Sequence, residues 1–349
     1  MGETAPEPGA LMAAEIAEQP QVWARLLQEG GGAVAGVAAA VRARRPRFVL
    51  LVARGTSDHA ALYAKYLVEV RLGLPAGLAS PSTVTAYGAR PDLSDVLLVA
   101  VSQSGGSPDL VRYVEVGRQR GATTVAVTNA ASSSLAQAAE FSVDVLAGPE
   151  RAVAATKSYT AQLLALLLLV EGLRGDVPDL RGLPGWGAEV LALEPVVARA
   201  AERLRYAQRL VVTGRGYAYP TAREAALKLM ETCYVSAHAY SGADLLHGPL
   251  AMVDATVPVL AVAPSGTAGE AITPILPRLR ETGADVLTVG SEEAALGANA
   301  GLVLPDGVPE VASPLLEILP FQLLALHLAR LRGGDPDSPR GLRKVTETL

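Results

Sequence analysis

The chain of 349 residues holds a single cysteine, Cys233. No intramolecular disulfide can form, and a zinc site built mainly of thiolates is excluded. Aromatic residues make up only 4%, so its cores must be filled by Ala, Val and Leu packed between helices and sheets. Charge is also sparse, at 19% of residues with a net charge of −5. That balance argues against a nucleic-acid groove or an anionic membrane surface as the main partner. It leaves room for a phosphorylated small molecule, because one neutral turn can bind phosphate inside an acidic protein. The longest uninterrupted apolar run, residues 163–170, is far short of the roughly 20 needed to span a bilayer. Residues 1–8 are acidic and Pro-rich and lack the basic and apolar regions of a secretory signal. The expectation is a soluble, cytoplasmic protein. Also missing are the G-x-G-x-x-G and Walker patterns, H-E-x-x-H and G-x-S-x-G.

What is present is a repeat. Phe48-Val49-Leu50-Leu51-Val52-Ala53 leads into Arg54-Gly55-Thr56-Ser57 and a helical stretch. Leu210-Val211-Val212-Thr213-Gly214 leads into Arg215-Gly216-Tyr217 and another. Further on, residues 96–101 run into Ser102-Gln103-Ser104-Gly105, a helix to Arg120 and a strand at 124–127. Their counterparts are residues 257–263, Pro264-Ser265-Gly266, a helix to Glu281 and a strand at 285–289. Gly55 and Gly216 lie 161 positions apart, as do Gly105 and Gly266. Continuous Val/Leu strands alternating with helices are buried on both faces, which requires a parallel sheet covered by helices. The expected fold class is therefore α/β: two doubly wound parallel-sheet domains related by internal duplication. The expected boundaries are an N-terminal helix over 10–30 (amphipathic from 11 to 28), a first domain over 31–180 and a second over 188–332. A helix over 188–205 leads into the second domain. An extended C-terminal tail over 333–349 is expected to close over the functional site.

In such sheets, ligands bind beyond the carboxyl ends of strands near a topological switch. Ser102-Gln103-Ser104-Gly105-Gly106-Ser107 offers hydroxyls, an amide and free N–H groups at a helix start, which suits a phosphate without any Lys or Arg. Thr56 and Ser57 add two hydroxyls on the neighbouring turn. A single Ser here would be read as an ordinary N-cap; five hydroxyls on two adjacent turns point to a ligand. The second copy has fewer, so phosphate binding is assigned to the first domain. Glu224, Lys228 and Glu231 share one helical face. Spacing alone favours a solvated face, but the apolar surroundings and the preceding Gly-rich turn argue that the face points at something. His247, before Gly248-Pro249, is held by a stiff backbone and suits proton transfer. His59, His238 and His327 are expected to be structural, and Cys233 a small core residue.

Together these pieces resemble the double sugar-isomerase (SIS) family, as found in the isomerase module of glucosamine-6-phosphate synthases. The resemblance runs from Met12-Ala13-Ala14-Glu15-Ile16-Ala17-Glu18-Gln19-Pro20 to the tail. It rests on Arg54-Gly55-Thr56-Ser57, Ser102-Gln103-Ser104-Gly105, Ala155-Thr156-Lys157, the run from Glu224 to Glu231, His247-Gly248-Pro249-Leu250 and Asp337-Ser338-Pro339-Arg340-Gly341-Leu342-Arg343-Lys344. It implies that Ser57, Thr56, Ser102, Gln103, Ser104 and Ser107 hold a sugar phosphate and that Val153 lines the sugar through its backbone. Glu231 would then move a proton between C1 and C2, assisted by Glu224 and Lys228. His247 would open the ring, reaching the site from a partner subunit, so a homodimer with a shared site is expected. Lys344 would lie over the sugar carbonyl.

Three departures stand out. Gly106 replaces a family Glu, and Asp244 and Leu246 replace Glu and Lys before the His-Gly-Pro. There is no glutaminase domain in the sequence and no cysteine near its start to act as such a domain's nucleophile, so glutamine hydrolysis is not expected. The expected function is an amino-sugar-phosphate enzyme, foremost a glucosamine-6-phosphate deaminase/isomerase. Alternatives are a dehydratase removing the C3 hydroxyl of an (N-acetyl)glucosamine-6-phosphate, another phosphosugar isomerase or deglycase, or a non-catalytic sugar-phosphate sensor. The substrate is a hexose or hexosamine 6-phosphate; no metal or organic cofactor is needed, and neither nucleic acid nor membrane is a partner.

Overall fold

The computed structural model describes residues 7–344. Its strands are β1 (Phe48–Val52), β2 (Ala76–Leu78), β3 (Val96–Ser102), β4 (Thr123–Thr128) and β5 (Phe141–Asp144). They continue with β6 (Arg209–Gly214), β7 (Ser236–Ser241), β8 (Val259–Ala263), β9 (Val286–Gly290) and β10 (Ala300–Val303). The helices used below are α1 (Ala10–Ala17), α2 (Gly31–Arg44), α3 (Thr56–Leu67), α4 (Pro108–Gln119), α5 (Lys157–Arg174), α6 (Glu194–Leu204), α7 (Ala218–Cys233) and α8 (Ser313–Leu331).

The first sheet has the order β2-β1-β3-β4-β5 and the second β10-β9-β8-β6-β7. Each pairing between neighbouring strands is parallel. Read from the equivalent strand, the two orders are the same, so the duplication seen in the sequence is a duplication of topology. Strands β3, β4, β8 and β9 are almost wholly buried, in keeping with their Val-, Leu- and Ala-rich sequences, and Thr124, Thr128 and Thr288 are buried with them.

The chain divides into two compact units. One contains residues 21–150 and 157–182 with the first sheet; the other contains the described residues up to 20, the short segment 151–156, and 183–344 with the second sheet. In the first unit, α5 packs on α2 and α3, and its residues 157–171 are buried without a break. In the second, α7 and α6 pack on α8, whose Leu315, Leu316, Ile318, Leu319 and Phe321 anchor the core. By length and composition α8 could cross a membrane, but it is buried inside this unit.

Three helices expected to be continuous are broken, each at a proline. The expected 188–205 helix is two, Leu183–Leu191 and α6, because the ring of Pro195 clashes with the carbonyl of residue 191. The helix expected to reach Glu281 is three short pieces, Thr267–Glu270, Thr273–Ile275 and Leu276–Glu281, with Pro274 blocking the carbonyl of Glu270. At the N-terminus, α1 stops before Glu18 and a second helix runs Gln19–Arg25, with Pro20 four residues after Ile16. The tail is not simply extended. It turns at Asp335–Ser338 and again at Pro339–Leu342; residues 345–349 lie outside the described part.

Candidate functional site

In the first unit, β1 and β3 are neighbours in register, Val52 opposite Ala100. The strand order reverses between them, so the turns after both open at the topological switch of this sheet. After β1, Gly55 takes φ 56° and ψ −131°, and α3 begins at Thr56. Ser57 is buried in its first turn and Thr56 is half-buried. After β3, the Ser102 hydroxyl accepts the Gly105 N–H at 3.1 Å and the Ser104 hydroxyl accepts the Gly106 N–H at 3.3 Å. These two serines therefore shape the turn. Ser107 behaves differently: it occupies the N-cap of α4 in extended conformation but makes no capping bond. Ser133, by contrast, caps its own short helix through the Ala136 N–H. Gln103 is half-buried, and its carbonyl accepts the Asn129 N–H. Gly105 is obligatory, since φ is +61° and a Cβ would lie 2.1 Å from the Ser133 hydroxyl.

Arg54 also lies at this switch. Its Nη2 is 2.8 Å from Oδ2 of Asp109, in the first turn of α4; the side chains are 47% and 1% exposed. The ion pair ties the turn after β1 to the helix that follows β3. In the sequence Arg54 stands out only as part of the Arg54–Ser57 motif and Asp109 not at all, because their pairing depends on strand order.

In the second unit, α7 starts after the tight Gly214-Arg215-Gly216 turn and runs through helix-favouring Ala222, Ala225 and Ala226. It ends at Tyr234 in left-handed conformation. Lys228 Nζ lies 3.3 Å from Glu224 Oε1 and 2.5 Å from Glu231 Oε2. The side chains of Lys228 and Glu224 are 0% exposed, and that of Glu231 is 22% exposed. The solvated face that spacing alone favoured is therefore not what forms. Burial by itself would lower the Lys228 pKa, but the Glu224 and Glu231 carboxylates outweigh it and hold the ammonium above the usual lysine range. One buried cation thus sits between two carboxylates, and Glu231 is the member that solvent and a ligand can reach.

The remaining candidates of this unit lie on its loops and tail. Ser241 caps the helix Gly242–Leu246 by accepting the Asp244 N–H. His247 follows at that helix's C-cap, exposed, with Gly248 at φ +132° and Pro249 after it. Val153, in the segment 151–156, donates its N–H to the Asp337 carbonyl at 3.4 Å. The Asp337 carboxylate in turn accepts the N–H groups of Leu11 and Met12, each at 2.8 Å, at the start of α1. Buried Glu15 of α1 accepts the N–H groups of Arg151 and Ala152. Arg340 donates its N–H to the Tyr234 hydroxyl at 2.9 Å and lays its guanidinium 4.2 Å above that ring. These contacts hold the segment bearing Val153 and the tail that leads to half-buried Lys344. Glu15 lies in the Met12–Pro20 motif and Asp337 opens the Asp337–Lys344 motif, but nothing in their spacing announces these contacts.

The turn equivalent to the serine turn is closed in the second copy. The Glu310 carboxylate accepts the Ala268 N–H at 2.8 Å, and a Cβ on Gly266 would lie 2.9 Å from it. The protein's own carboxylate takes the place at this turn that an anion would need. Among the described residues no group of three His, Cys, Asp or Glu side chains could hold a metal.

Comparison with known proteins agrees with this architecture. The SIS domain family matches residues 44–172 and again 203–332. The chain belongs to the SIS domain family and carries two copies of the domain. It is 36% identical to glutamine–fructose-6-phosphate aminotransferase (isomerizing) of Pseudomonas aeruginosa, over 95% of this chain and 58% of that protein. The chain thus spans somewhat more than half the length of that relative. Among solved structures, a proposed phosphosugar isomerase from Silicibacter pomeroyi DSS-3 is 36% identical with TM-score 0.85, covering 93% of this chain and 99% of that one. The C-terminal domain of glucosamine-fructose-6-phosphate aminotransferase from Francisella tularensis is 26% identical with TM-score 0.81, covering 95% and 99%.

Proposed function

We propose that the chain acts on a hexosamine 6-phosphate by moving a proton between C1 and C2 of the open-chain sugar. The reaction is glucosamine-6-phosphate plus water to fructose-6-phosphate plus ammonia. The observation that carries the reading is the buried Glu224–Lys228–Glu231 cluster on α7. Proton abstraction beside a carbonyl needs a base with access to the carbon and a cation close by. Glu231 offers the first and Lys228 the second. A positioned base contributes roughly 10²–10⁴-fold, and a nearby cation stabilises the charge that develops on the sugar oxygen. The names of the relatives combine fructose 6-phosphate, amino transfer and isomerisation.

In this reading Ser57, Thr56, Ser102, Gln103, Ser104 and Ser107 bind the phosphate through hydroxyls, an amide and the N–H groups at the start of α4. Binding energy gained at the phosphate is then available to position the reacting carbons. Val153 lines the sugar with its backbone and Lys344 approaches its carbonyl. Exposed His247 opens the ring on a second copy of the chain, which makes the working form a homodimer. The protein works in the cytoplasm.

The test is incubation of the full chain with a panel of hexose and hexosamine 6-phosphates, read by mass spectrometry. Ammonia and fructose-6-phosphate from glucosamine-6-phosphate are expected. Loss of water from an N-acetylated substrate would replace deamination by dehydration, plain aldose–ketose exchange would leave an isomerase, and binding without turnover would leave a sensor. Glu231→Gln should lower kcat by about 10²–10⁴-fold while sugar-phosphate binding persists; unchanged turnover removes Glu231 from the mechanism.

A further inference from the structure

The serine turns carry an electrostatic conflict. A phosphate dianion at the start of α4 would share that helix end with Asp109, an almost fully buried carboxylate two residues after Ser107. Like charges at one helix N-terminus compete for the same dipole and repel each other. Among the described residues the cation paired with Asp109 is Arg54, whose guanidinium reaches it from the neighbouring turn as an ion pair and not as an aligned hydrogen bond. The second copy supplies a contrast. Its equivalent residues are Arg215 and Glu270, both exposed, and there Glu310 takes the turn's N–H. A buried acid balanced by an arginine is thus found at the turn with the richer set of hydroxyls.

We propose that Arg54 is the charge-balancing residue of this anion cradle. By neutralising Asp109 it lets the start of α4 accept a phosphate dianion, and it holds the turn after β1 beside the turn after β3. It acts through Asp109 and is a positioning residue. The proposal rests on the reading that these turns bind phosphate.

The test is calorimetric titration of the full chain with inorganic phosphate, repeated with fructose-6-phosphate. Arg54→Gln should weaken phosphate binding about tenfold or more, the size of one uncompensated charge at the edge of a polar site. Asp109→Asn should bind at least as tightly as wild type. The double variant Arg54→Gln/Asp109→Asn and the charge-conserving Arg54→Lys should both return to within about threefold of wild type, because neither leaves a lone carboxylate. Because Asp109→Asn alone can tighten binding, recovery supports charge balance only where it exceeds the sum of the two single effects; additive effects mean that Arg54 acts on the phosphate independently of Asp109 and overturn the inference.

A wild-type affinity matched by Arg54→Gln, or a double variant as weak as Arg54→Gln, overturns the inference and leaves the phosphate reading intact. Absence of binding of either ligand to the wild-type chain overturns the phosphate reading itself, and the inference with it. If Arg54→Gln does not fold, the double variant and Arg54→Lys decide, and a tenfold loss in either refutes the proposal.

Discussion

Replacing Lys228 by methionine tests the centre of the α7 cluster most directly. Methionine matches the length and apolar stem of lysine but leaves the wholly buried Glu224 carboxylate without the ammonium 3.3 Å away. Removing one partner of a buried ion pair costs about 3–5 kcal/mol, since the remaining charge stays desolvated. For a unit the size of the second SIS domain this lowers the melting midpoint on the order of 10 °C. Urea denaturation followed by circular dichroism gives the free energy, and calorimetry the midpoint. The pH dependence follows from the sign of the shift. A lysine whose folded pKa is raised contributes fully below its unfolded value, near 10.5, and loses that contribution only as pH rises through the folded value. The gap between wild type and Lys228→Met should thus change little on this account between about pH 6 and 9. Adding Glu224→Gln to Lys228→Met should recover much of the loss. A gap under about 1 kcal/mol, or a double variant no more stable than the single, would refute the picture of a desolvated network.

Glu317 of α8 is wholly buried, accepting bonds from Ser313 and Thr221 at 2.6 and 2.7 Å; burial, reinforced by the Glu310 charge, outweighs those two donors and pushes its pKa up to about 7. The folded state then keeps a proton that the unfolded state has lost. Wild-type stability should fall between about pH 4.5 and 7 by an amount on the order of 3 kcal/mol, and Glu317→Gln should abolish that slope in urea titrations at pH 5 and 7.5. The buried Cys233 thiol, pushed up to about 11 by burial, should react with a thiol-disulfide reagent at pH 8 more than about a hundredfold slower than a free cysteine, regaining the ordinary rate in urea; equal rates would contradict its burial. Gly105→Ala places a Cβ against the Ser133 hydroxyl in a left-handed backbone, and should cost about 2 kcal/mol and weaken phosphate binding in the same titration.

Much of the fold was legible because its signals are local. Unbroken Val/Leu runs declare buried parallel strands, and the same strand–turn–helix order recurs after 161 residues. Glu224, Lys228 and Glu231 fall on one face through helical geometry alone. The proline breaks at residues 20, 195 and 274 were also written in the chain, but the apolar pattern runs straight through them, so the helices read as longer than they are. The edge strands β2, β5, β7 and β10 escaped because they are short or half-exposed, with no continuous apolar run.

Only the tertiary structure decided which charges leave water. Spacing cannot distinguish an exposed Lys228 from one enclosed between two carboxylates, because that depends on what packs over the helix. Nor could it show Glu310 filling the second turn from 42 residues away, or Asp337 capping α1 across 325. Periodicity records the burial of a residue on its own element. Which distant backbone or side chain meets it is settled when the sheets and helices pack, and that meeting determines where a charge can stay and where an anion can bind.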